Sequence, residues 1–552
     1  MQILHIPIHF ASVFGVLAVL STLLGILAFK KGNASEETVL RFGDENRWLL
    51  VLGVLVSALF VARAFLSPLQ GYDTYFRWNF LATQILQHGN FAFYPPLTPE
   101  DFRQYFYVDS IPPMVQFSYW WLYASFGRAA ESLTGIFVSI QFFLLLAVTF
   151  RMTYAVGNSR SATFATAALL ASPLFFWSVF LGQETGLTAL SLSSCLFFIA
   201  SDKQKCASRV ILAAMAASVG ALSREYGCAF IFCGLIALLW LRFSPKHVLL
   251  FLLVSFLIVA PWYLRTWVLT GNPVYSLPIG HLFPVNPVHV GILEVSNSVQ
   301  GFATDTFIKF TWLIKLFLQY SPLQFVLGIL MVPFVLKRAP YLWLCCLIVI
   351  LIWIYNAGIA AGGYFWSLRV LSPAIVLLSV AIGLGLDQLA AAKKEIATLF
   401  SVLIGIAMCS AICKDLTIPI TQGWIPSSQW FNRAFTPNRQ FSAMFDILGP
   451  ALSPLKTRIL SDDAYAHAGL LKYGIEVVPV WSPEVGFIFD PANSPQQVRN
   501  RLNQIGISAV EYDPKGLSSL YLSRASFFAE DIRNWRPYKS AGHSTIYLLP
   551  AN

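Results

Sequence analysis

The chain has 552 residues, of which 57% are hydrophobic, 15% are aromatic and only 12% are charged, with a net charge of +10. Soluble proteins contain about 25% charged residues, so this composition excludes a soluble globular protein. No run of Lys and Arg exceeds two residues, which argues against nucleic-acid binding and for basic residues that set the orientation of membrane spans.

The charge distribution divides the chain into two parts. Residues 1–414 carry 25 Lys and Arg and 16 Asp and Glu, whereas residues 415–552 carry 12 and 11. All eight cysteines lie before residue 414, so a disulfide framework in the tail is excluded, and no cysteine spacing resembles a zinc site. We therefore predict a polytopic α-helical membrane domain over 1–414 and a soluble domain over 415–552.

The first part contains apolar runs for about twelve membrane spans, because one span needs about 20 mainly apolar residues. We place them at 10–29, 48–66, 131–150, 162–180, 185–201, 208–223, 226–242, 247–267, 318–336, 341–359, 368–388 and 396–414.

Basic residues separate the connectors between these spans into two sets. One set holds 15 Lys and Arg and the other, although longer, holds nine. The positive-inside rule puts the first set in the cytoplasm. We then expect three parts of the chain on the outer side of the cell membrane, which faces the periplasm if the protein is bacterial. These parts are the long loops 67–130 and 268–317 and the soluble tail.

The two outer loops show different local patterns. In 74–87 the apolar residues recur at helical spacing, which predicts an amphipathic helix. Residues 112–126 are rich in aromatic residues but too short to span, which favours a helix lying on the membrane surface. In 268–317, Gly271-Asn272-Pro273 and three further prolines before residue 290 predict ordered turns rather than helix.

The tail alternates short apolar strands with helical stretches, which indicates a small α/β domain. Strands are predicted at 457–461, 476–480, 507–512 and 545–549, and helices at 463–473 and 495–505. Asp462 and Asp463 fall between a strand and a helix, so we interpret them as a turn and not as a metal-binding pair.

Asp73 is the first candidate for a catalytic residue. It follows the second predicted span by a few residues and is flanked by aromatic residues. A carboxylate at the outer water boundary can act as a general base or a metal ligand. The alternative is an N-cap for the helix that starts at Thr74, and both roles can coexist.

Further outer carboxylates form a short list. Asp109 lies just before the predicted surface helix and is a candidate second catalytic acid, with a solvated loop residue as the alternative. Glu184 lies in a tight connector, and Glu225 follows Arg224 at the end of a span, where an ion pair is the structural alternative. Glu100 and Asp101 follow a proline and are typical of the first turn of a helix.

Three arginines fall at the outer ends of predicted spans: Arg224, Arg265 and Arg369. Arginine binds phosphate through two parallel hydrogen bonds, so a lipid phosphate at the membrane edge is a natural ligand, and extension of the side chain to the interface is the alternative. His281, in the proline-rich loop, is one more candidate for substrate binding.

The sequence has no phosphate-binding P-loop, no dinucleotide-binding glycine motif and no zinc-protease motif. An outward-facing enzyme has no access to nucleotide-activated substrates of the cytoplasm. If the chain transfers a group, we therefore expect the donor to arrive already attached to a lipid.

Six short segments resemble the GT-C superfamily of polytopic membrane glycosyltransferases, which includes enzymes of the protein O-mannosyltransferase and aminoarabinose transferase types. The main one is Tyr72-Asp73-Thr74-Tyr75-Phe76, where that family places a catalytic acid. The others, in the same order along the chain, are Pro112-Pro113, Ser172-Pro173-Leu174-Phe175-Phe176, Ser223-Arg224-Glu225, Thr270-Gly271-Asn272-Pro273-Val274-Tyr275 and Ser367-Leu368-Arg369-Val370-Leu371-Ser372-Pro373-Ala374.

This resemblance implies transfer of a sugar from a polyprenyl-phosphate donor to an exoplasmic acceptor, which is a glycan, a lipid or a protein. Asp73 would deprotonate or orient the acceptor hydroxyl for inverting attack, and Arg369 with Arg224 or Arg265 would stabilise the departing lipid phosphate. No nucleotide cofactor is expected. Asp73 is not followed by a second acid as in some members, so a divalent cation is left open.

Two other classes of protein share some of these features. A transporter or flippase for a lipid-linked saccharide would use similar spans and charges, but it would show inverted repeats and broken helices, and the sequence shows no convincing internal repeat. A non-catalytic membrane scaffold would leave Asp73 dispensable.

Overall fold

The computed structural model describes residues 47–275, 282–299, 306–357, 363–412 and 443–550, except for 67, 70, 72, 456, 514–520 and 543. The predicted span at 10–29 and His281 lie outside these residues.

Helices account for the described part of the membrane domain. Their bounds are Arg47–Leu66, Thr134–Val156, Ser159–Leu170, Pro173–Phe180, Glu184–Ala200, Ala207–Ser223, Cys228–Trp240, Pro245–Thr270, Thr306–Tyr320, Val332–Arg338, Pro340–Ala357, Gly363–Ser367, Ser372–Ala392 and Lys394–Ala411. Within the described residues four helices are long and apolar enough to cross a membrane singly, or five if one bent pair counts as a span. The other apolar helices are shorter, so the total of about twelve spans stays a prediction.

Two spans that we predicted to be continuous are broken. The predicted span 162–180 bends by 70° between Leu170 and Pro173. Pro173 cannot continue a helix, but it is accepted as the first residue of a new one, and the Ser172 hydroxyl accepts a hydrogen bond from the Phe175 amide at 3.3 Å. The predicted span 318–336 is interrupted by the end of one helix at Tyr320, before Pro322, and by a π-helical turn at Gln324–Gly328.

The helix Ser372–Ala392 forms the centre of the membrane domain, and most of its side chains are buried. It packs closely on Ser159–Leu170. A β-carbon at Gly383 would collide with the backbone carbonyl of Ser161, so glycine at this position permits the close approach of the two helices.

The second outer loop corrects our prediction of turns without helix. Turns occupy only its first part, and the helices Pro287–Val299 and Thr306–Tyr320 follow. Pro287 occupies the first helical position, where the missing amide costs nothing. Asn286 caps that helix, because its side-chain oxygen accepts hydrogen bonds from the amides of Val288 at 2.9 Å and His289 at 3.2 Å.

The first outer loop contains the predicted helices. A π-helical turn, Thr74–Asn79, continues as the α-helix Phe80–His88, and Met114–Phe126 packs against it. Pro99–Gln104 forms a further short helix with Glu100 and Asp101 in its first turn, as predicted. The hydroxyl of Tyr123 bonds to the side chain of Asn79. These helices form a layer that packs against the membrane helices.

The tail is an α/β domain with a five-stranded sheet: β1 Arg458–Ser461, β2 Glu476–Pro479, β3 Ile507–Tyr512, β4 Pro537–Ala541 and β5 Ser544–Leu548. The strand order is β2-β1-β3-β5-β4, parallel from β2 to β3 and antiparallel from β3 to β4. Helices Ala443–Leu452, Ala464–Leu470, Pro495–Gln504 and Ser526–Arg533 flank it. We did not predict β4. Four of its five residues are exposed, so its sequence lacks the alternation of apolar and polar residues that marks a half-buried strand.

The tail shares one apolar core with both outer loops. Phe76, Phe106 and Tyr275 are buried together with the side chains of its sheet and helices. The indole of Trp481 donates a hydrogen bond to the carbonyl of Phe106 at 2.7 Å. The tail therefore packs directly on the layer of helices that covers the membrane domain, while the boundary at residue 414 stays a prediction.

Candidate functional site

Asp73 is not an N-cap, contrary to the structural alternative given above. Its backbone is already helical (φ −61°, ψ −25°), and its side chain makes no capping hydrogen bond. The helical turn begins earlier, because the amides of Thr74 and Tyr75 donate to the carbonyl of Gly71 at 3.0 and 3.4 Å. The carboxylate is thus free of a capping role and can interact with other side chains.

Two arginines, one four residues away and one 296 residues away in the sequence, flank the Asp73 carboxylate. Its Oδ2 atom lies 3.3 Å from Arg77 Nη1 and 3.4 Å from Arg369 Nη2. Arg369 lies in the 3₁₀ turn Leu368–Leu371, which leads into the central helix. The Asp73 side chain is 30% exposed and that of Arg369 is 15% exposed, so the carboxylate is held by two ion pairs and is still accessible to solvent.

Arg77 connects Asp73 to a second carboxylate. Its Nε atom lies 2.6 Å from Asp109 Oδ2. The hydroxyls of Tyr94 and Tyr105 donate to Asp109 Oδ1 at 2.8 and 3.3 Å. Asp109 is fully buried, so this carboxylate fixes Arg77, while Asp73 is the one that reaches the solvent.

The two carboxylates differ in electrostatic environment. Burial acts to raise the pKa of Asp73, but Arg77, Arg369 and Arg224 outweigh it and hold that pKa below its usual range. Burial raises the pKa of Asp109, and Arg77 opposes the change only in part. Asp73 is therefore an ionised, solvent-accessible carboxylate at neutral pH.

Arg224 and Glu225 form the ion pair that we gave as the structural alternative. Arg224 Nε lies 3.4 Å from Glu225 Oε2, and the Glu225 side chain is buried. Arg224 is close enough to Asp73 to contribute to its lowered pKa. Glu184 is buried in the first turn of Glu184–Ala200. The structure thus brings Arg224, with its bound Glu225, to the same side of the protein as Asp73.

Arg265 is held against the first outer loop. Its Nη2 atom donates to the carbonyl of Phe91 at 3.1 Å, and its guanidinium lies over the rings of Phe91 and Trp262 at 5.7 and 5.6 Å. These contacts attach the end of Pro245–Thr270 to the layer of loop helices.

Sequence reasoning missed Arg77, which pairs with Asp73, and His289, which is close enough to Arg77 and Arg224 to feel their charges. Arg77 was counted only as a charge that sets orientation, although its spacing of four residues from Asp73 is typical of a helical ion pair. His289, from the helix in the second loop, is buried. Burial, with the charges of Arg77 and Arg224, lowers its pKa to about 3, so this imidazole is neutral. We find no signal in the sequence for its position.

The residues around Asp73 do not fit a divalent cation. In the part of the chain that the structure describes, no group of three or more His, Cys, Asp and Glu side chains is arranged to hold a metal ion. The partners of the Asp73 carboxylate are guanidinium groups, whose positive charge opposes a second cation at the same oxygen.

The membrane helices, the layer of loop helices and the packed α/β tail together have the fold of the GT-C membrane glycosyltransferases. The apo structure of ArnT from Cupriavidus metallidurans matches with a TM-score of 0.55 at 13% identity, over 92% of this chain and 99% of that one. The same protein bound to undecaprenyl phosphate gives 0.52 at 13% identity, over 92% and 98%.

A second type of glycosyltransferase matches as well. The oligosaccharyltransferase AglB from Archaeoglobus fulgidus, in complex with an inhibitory peptide and a dolichol-phosphate, gives a TM-score of 0.51 at 13% identity, over 89% of this chain and 72% of that one. No protein-family profile and no curated protein matches the sequence. The resemblance found in the sequence is thus confirmed at the level of the fold.

Proposed function

We propose that this chain is an integral membrane glycosyltransferase of the GT-C type. It moves a sugar from a polyprenyl-phosphate donor to an acceptor on the outer face of the membrane, with inversion at the anomeric carbon. The observation that carries the proposal is the Asp73 carboxylate, which is accessible to solvent and lies between Arg77 and Arg369, where the loop 67–130 meets the turn that leads into the central membrane helix. Solved proteins of the same fold bind undecaprenyl phosphate and dolichol-phosphate.

In the proposed reaction, the acceptor hydroxyl oxygen attacks the anomeric carbon of the donor sugar. The bond between that carbon and the lipid-phosphate oxygen breaks, and the lipid phosphate leaves with the electron pair. Asp73 accepts a hydrogen bond from the attacking hydroxyl and takes its proton as the new glycosidic bond forms. The ionised state of Asp73 at neutral pH prepares it for this role.

The departing phosphate gains negative charge, which cationic side chains fixed in advance can stabilise. Arg369 and Arg224 are proposed for this purpose, because a guanidinium has five N–H donors and one ion pair leaves others for a phosphate. Asp109 does not contact the substrates in this proposal. It acts by holding Arg77, which in turn contacts Asp73. Glu184, Glu225, Arg265 and His281 complete the proposed substrate-binding set.

The proposal is tested by Asp73→Asn, which keeps the size of the side chain but removes the negative charge. We expect loss of glycan transfer with normal expression and membrane insertion. Glu100→Gln, which neutralises an exposed acid in the same loop, is the matched control and retains activity. Glycan analysis of a deletion strain against the wild type identifies the product to assay. Full transfer by Asp73→Asn overturns the role of this carboxylate.

A further inference from the structure

The tail contacts the helical turn that carries the candidate catalytic residue. Helix Ala464–Leu470 packs on Thr74–Asn79, the turn that follows Asp73. This contact joins a domain of ordinary soluble composition to the site at the membrane edge, and Tyr465 lies at its centre.

Tyr465 is 2% exposed. Its ring stacks on the ring of Tyr75, with centroids 5.5 Å apart and an angle of 13° between the planes. It also meets the edge of Phe76, with centroids 5.9 Å apart and an angle of 64°. Offset-stacked and edge-to-face arrangements at such distances are the favourable geometries for a pair of aromatic rings. The Tyr465 side chain thus packs against two consecutive residues located between Asp73 and Arg77.

The tail holds Tyr465 firmly in place. Asp463 caps its helix by accepting a hydrogen bond from the Tyr465 amide at 2.8 Å. One turn later, His467 Nε2 bonds to the carbonyl of Arg103 at 3.2 Å, and its ring meets that of Phe80 with centroids 5.0 Å apart. The helix is therefore capped within the tail just before Tyr465 and attached to the loop layer by His467 just after it.

On the other side of the turn, the Thr74 hydroxyl donates to the carbonyl of Leu181 at 2.7 Å, and Gln183 Nε2 donates to the Thr74 hydroxyl at 2.9 Å. These bonds attach the turn to the membrane helices. The turn is thus held between two bodies, the membrane domain through Thr74 and the tail through Tyr75 and Phe76.

We propose that Tyr465 is a positioning residue, through which the tail holds the Thr74–Asn79 turn in the place where Asp73 and Arg77 meet Arg369. This inference rests on the proposed function for its consequence in catalysis, but the structural coupling can be measured without any assay of transfer. It gives the tail an indirect part in the reaction, through the turn that follows Asp73.

The test compares Tyr465→Ala with two other variants. Tyr465→Phe keeps both ring contacts. Phe528→Ala removes another fully buried aromatic ring of the tail, one that packs on Trp535 at a centroid distance of 5.9 Å, within the tail. Both alanine variants are expected to destabilise the tail, but only the first removes contacts with the turn after Asp73.

Hydrogen–deuterium exchange of the peptide 74–88 in the full-length protein is the first measurement. We expect faster exchange in Tyr465→Ala, and wild-type exchange in Tyr465→Phe and Phe528→Ala. Equal exchange in Tyr465→Ala and the wild type overturns the coupling, whatever reaction the protein catalyses.

Steady-state transfer is the second measurement. We expect kcat to fall roughly tenfold or more in Tyr465→Ala, because small displacements of a catalytic group cost up to about 10²-fold, with the KM for the lipid donor nearly unchanged and activity rescued in Tyr465→Phe. A fall of the same size in Phe528→Ala shows that the tail acts only through stability and overturns the proposal. An active Asp73→Asn protein would instead defeat the proposed function while leaving the exchange result intact.

Discussion

Asp73 Oδ2 and Arg369 Nη2 lie 3.4 Å apart, although 296 positions separate the two residues in the sequence. One belongs to the first outer loop and the other to the turn that leads into the central membrane helix. This contact joins the proposed base to the proposed phosphate-binding residue. Replacement of either residue should therefore change both the pKa of the base and the binding of the donor phosphate.

Replacement of Arg369 tests this relationship first. We expect Arg369→Gln to lower kcat/KM for the lipid donor about 10–100-fold, since a hydrogen bond to a charged group contributes about 1.5–3 kcal/mol. Arg369→Lys should recover only part of the loss, because lysine cannot form two parallel hydrogen bonds to a phosphate. The measurement is the rate of transfer against donor concentration. Unchanged donor dependence in Arg369→Gln would count against phosphate binding by this residue.

The pH dependence of transfer offers a second test. Arg77, Arg369 and Arg224 hold the pKa of Asp73 below its usual value, so the wild-type rate should fall only at pH values below the ordinary Asp pKa of 3.8. Removing a positive charge raises this pKa. The acid limb of kcat/KM should therefore move to higher pH in Arg369→Gln, and by a smaller amount in Arg224→Gln, whose charge contributes less. An acid limb that stays in place in both variants would exclude Asp73 as the group that titrates.

The buried pair of Arg77 and Asp109 predicts an effect on stability. Replacing Arg77 with Met leaves the Asp109 carboxylate buried without its cation, which costs about 3–5 kcal/mol in comparable buried pairs. Arg103→Gln is the control, because Arg103 and Glu476 form an ion pair in which the Arg103 side chain is 49% exposed, and such pairs contribute about 0–1 kcal/mol. Thermal unfolding in detergent should separate the two variants clearly. Similar midpoints for both would show that the Arg77–Asp109 pair contributes little to stability.

Replacement of Asp463, unlike that of Arg77, is expected to increase the stability of the protein. Burial, and then the nearby carboxylate of Glu511 with those of Asp462 and Asp513, raises its pKa well above the ordinary value. The folded protein then binds more protons than the unfolded chain, so stability falls as pH rises from the unfolded pKa through the folded one and stays low above it.

Asp463→Asn removes the charge and keeps a good helix cap. We expect it to stabilise the protein by on the order of 1 kcal/mol at pH 7, with the gain vanishing near pH 4. Asp490→Asn, at an exposed position, is the control without effect. Thermal unfolding of the full-length protein at both pH values gives the comparison. A destabilised Asp463→Asn protein at pH 7 would mean that its carboxylate is not a source of repulsion.

The lengths of the apolar runs predicted the helices well, but they did not predict where those helices are interrupted. Most predicted spans in the described residues coincide with helices within a few positions, because about 20 apolar residues can only be helical in a membrane. The prediction failed at Pro173 and Pro322, where apolarity continues but the proline forces a new helix. It failed again at Pro287, which begins a helix that we expected to be turns.

Only some residues of the candidate site could be predicted from the sequence. Asp73, Arg224 and Arg369 stood out because charge is rare at the ends of apolar runs. Arg77 and His289 did not, since one lies in a loop with many polar residues and the other depends on the packing of the second loop. The role of Tyr465 could not be predicted either, because a tyrosine in a soluble domain gives no sign of which distant turn it contacts.

The bonds from Thr74 to the turn at Leu181 and Gln183 determine when this site can form during synthesis. The partners of Thr74 emerge from the ribosome 107 and 109 residues after it, and the arginine partner of Asp73 emerges 296 residues after it. At about 5–20 residues per second, the last interval alone lasts about 15–60 seconds. During that time Arg77 is the partner that is already present, four residues away on the same helix.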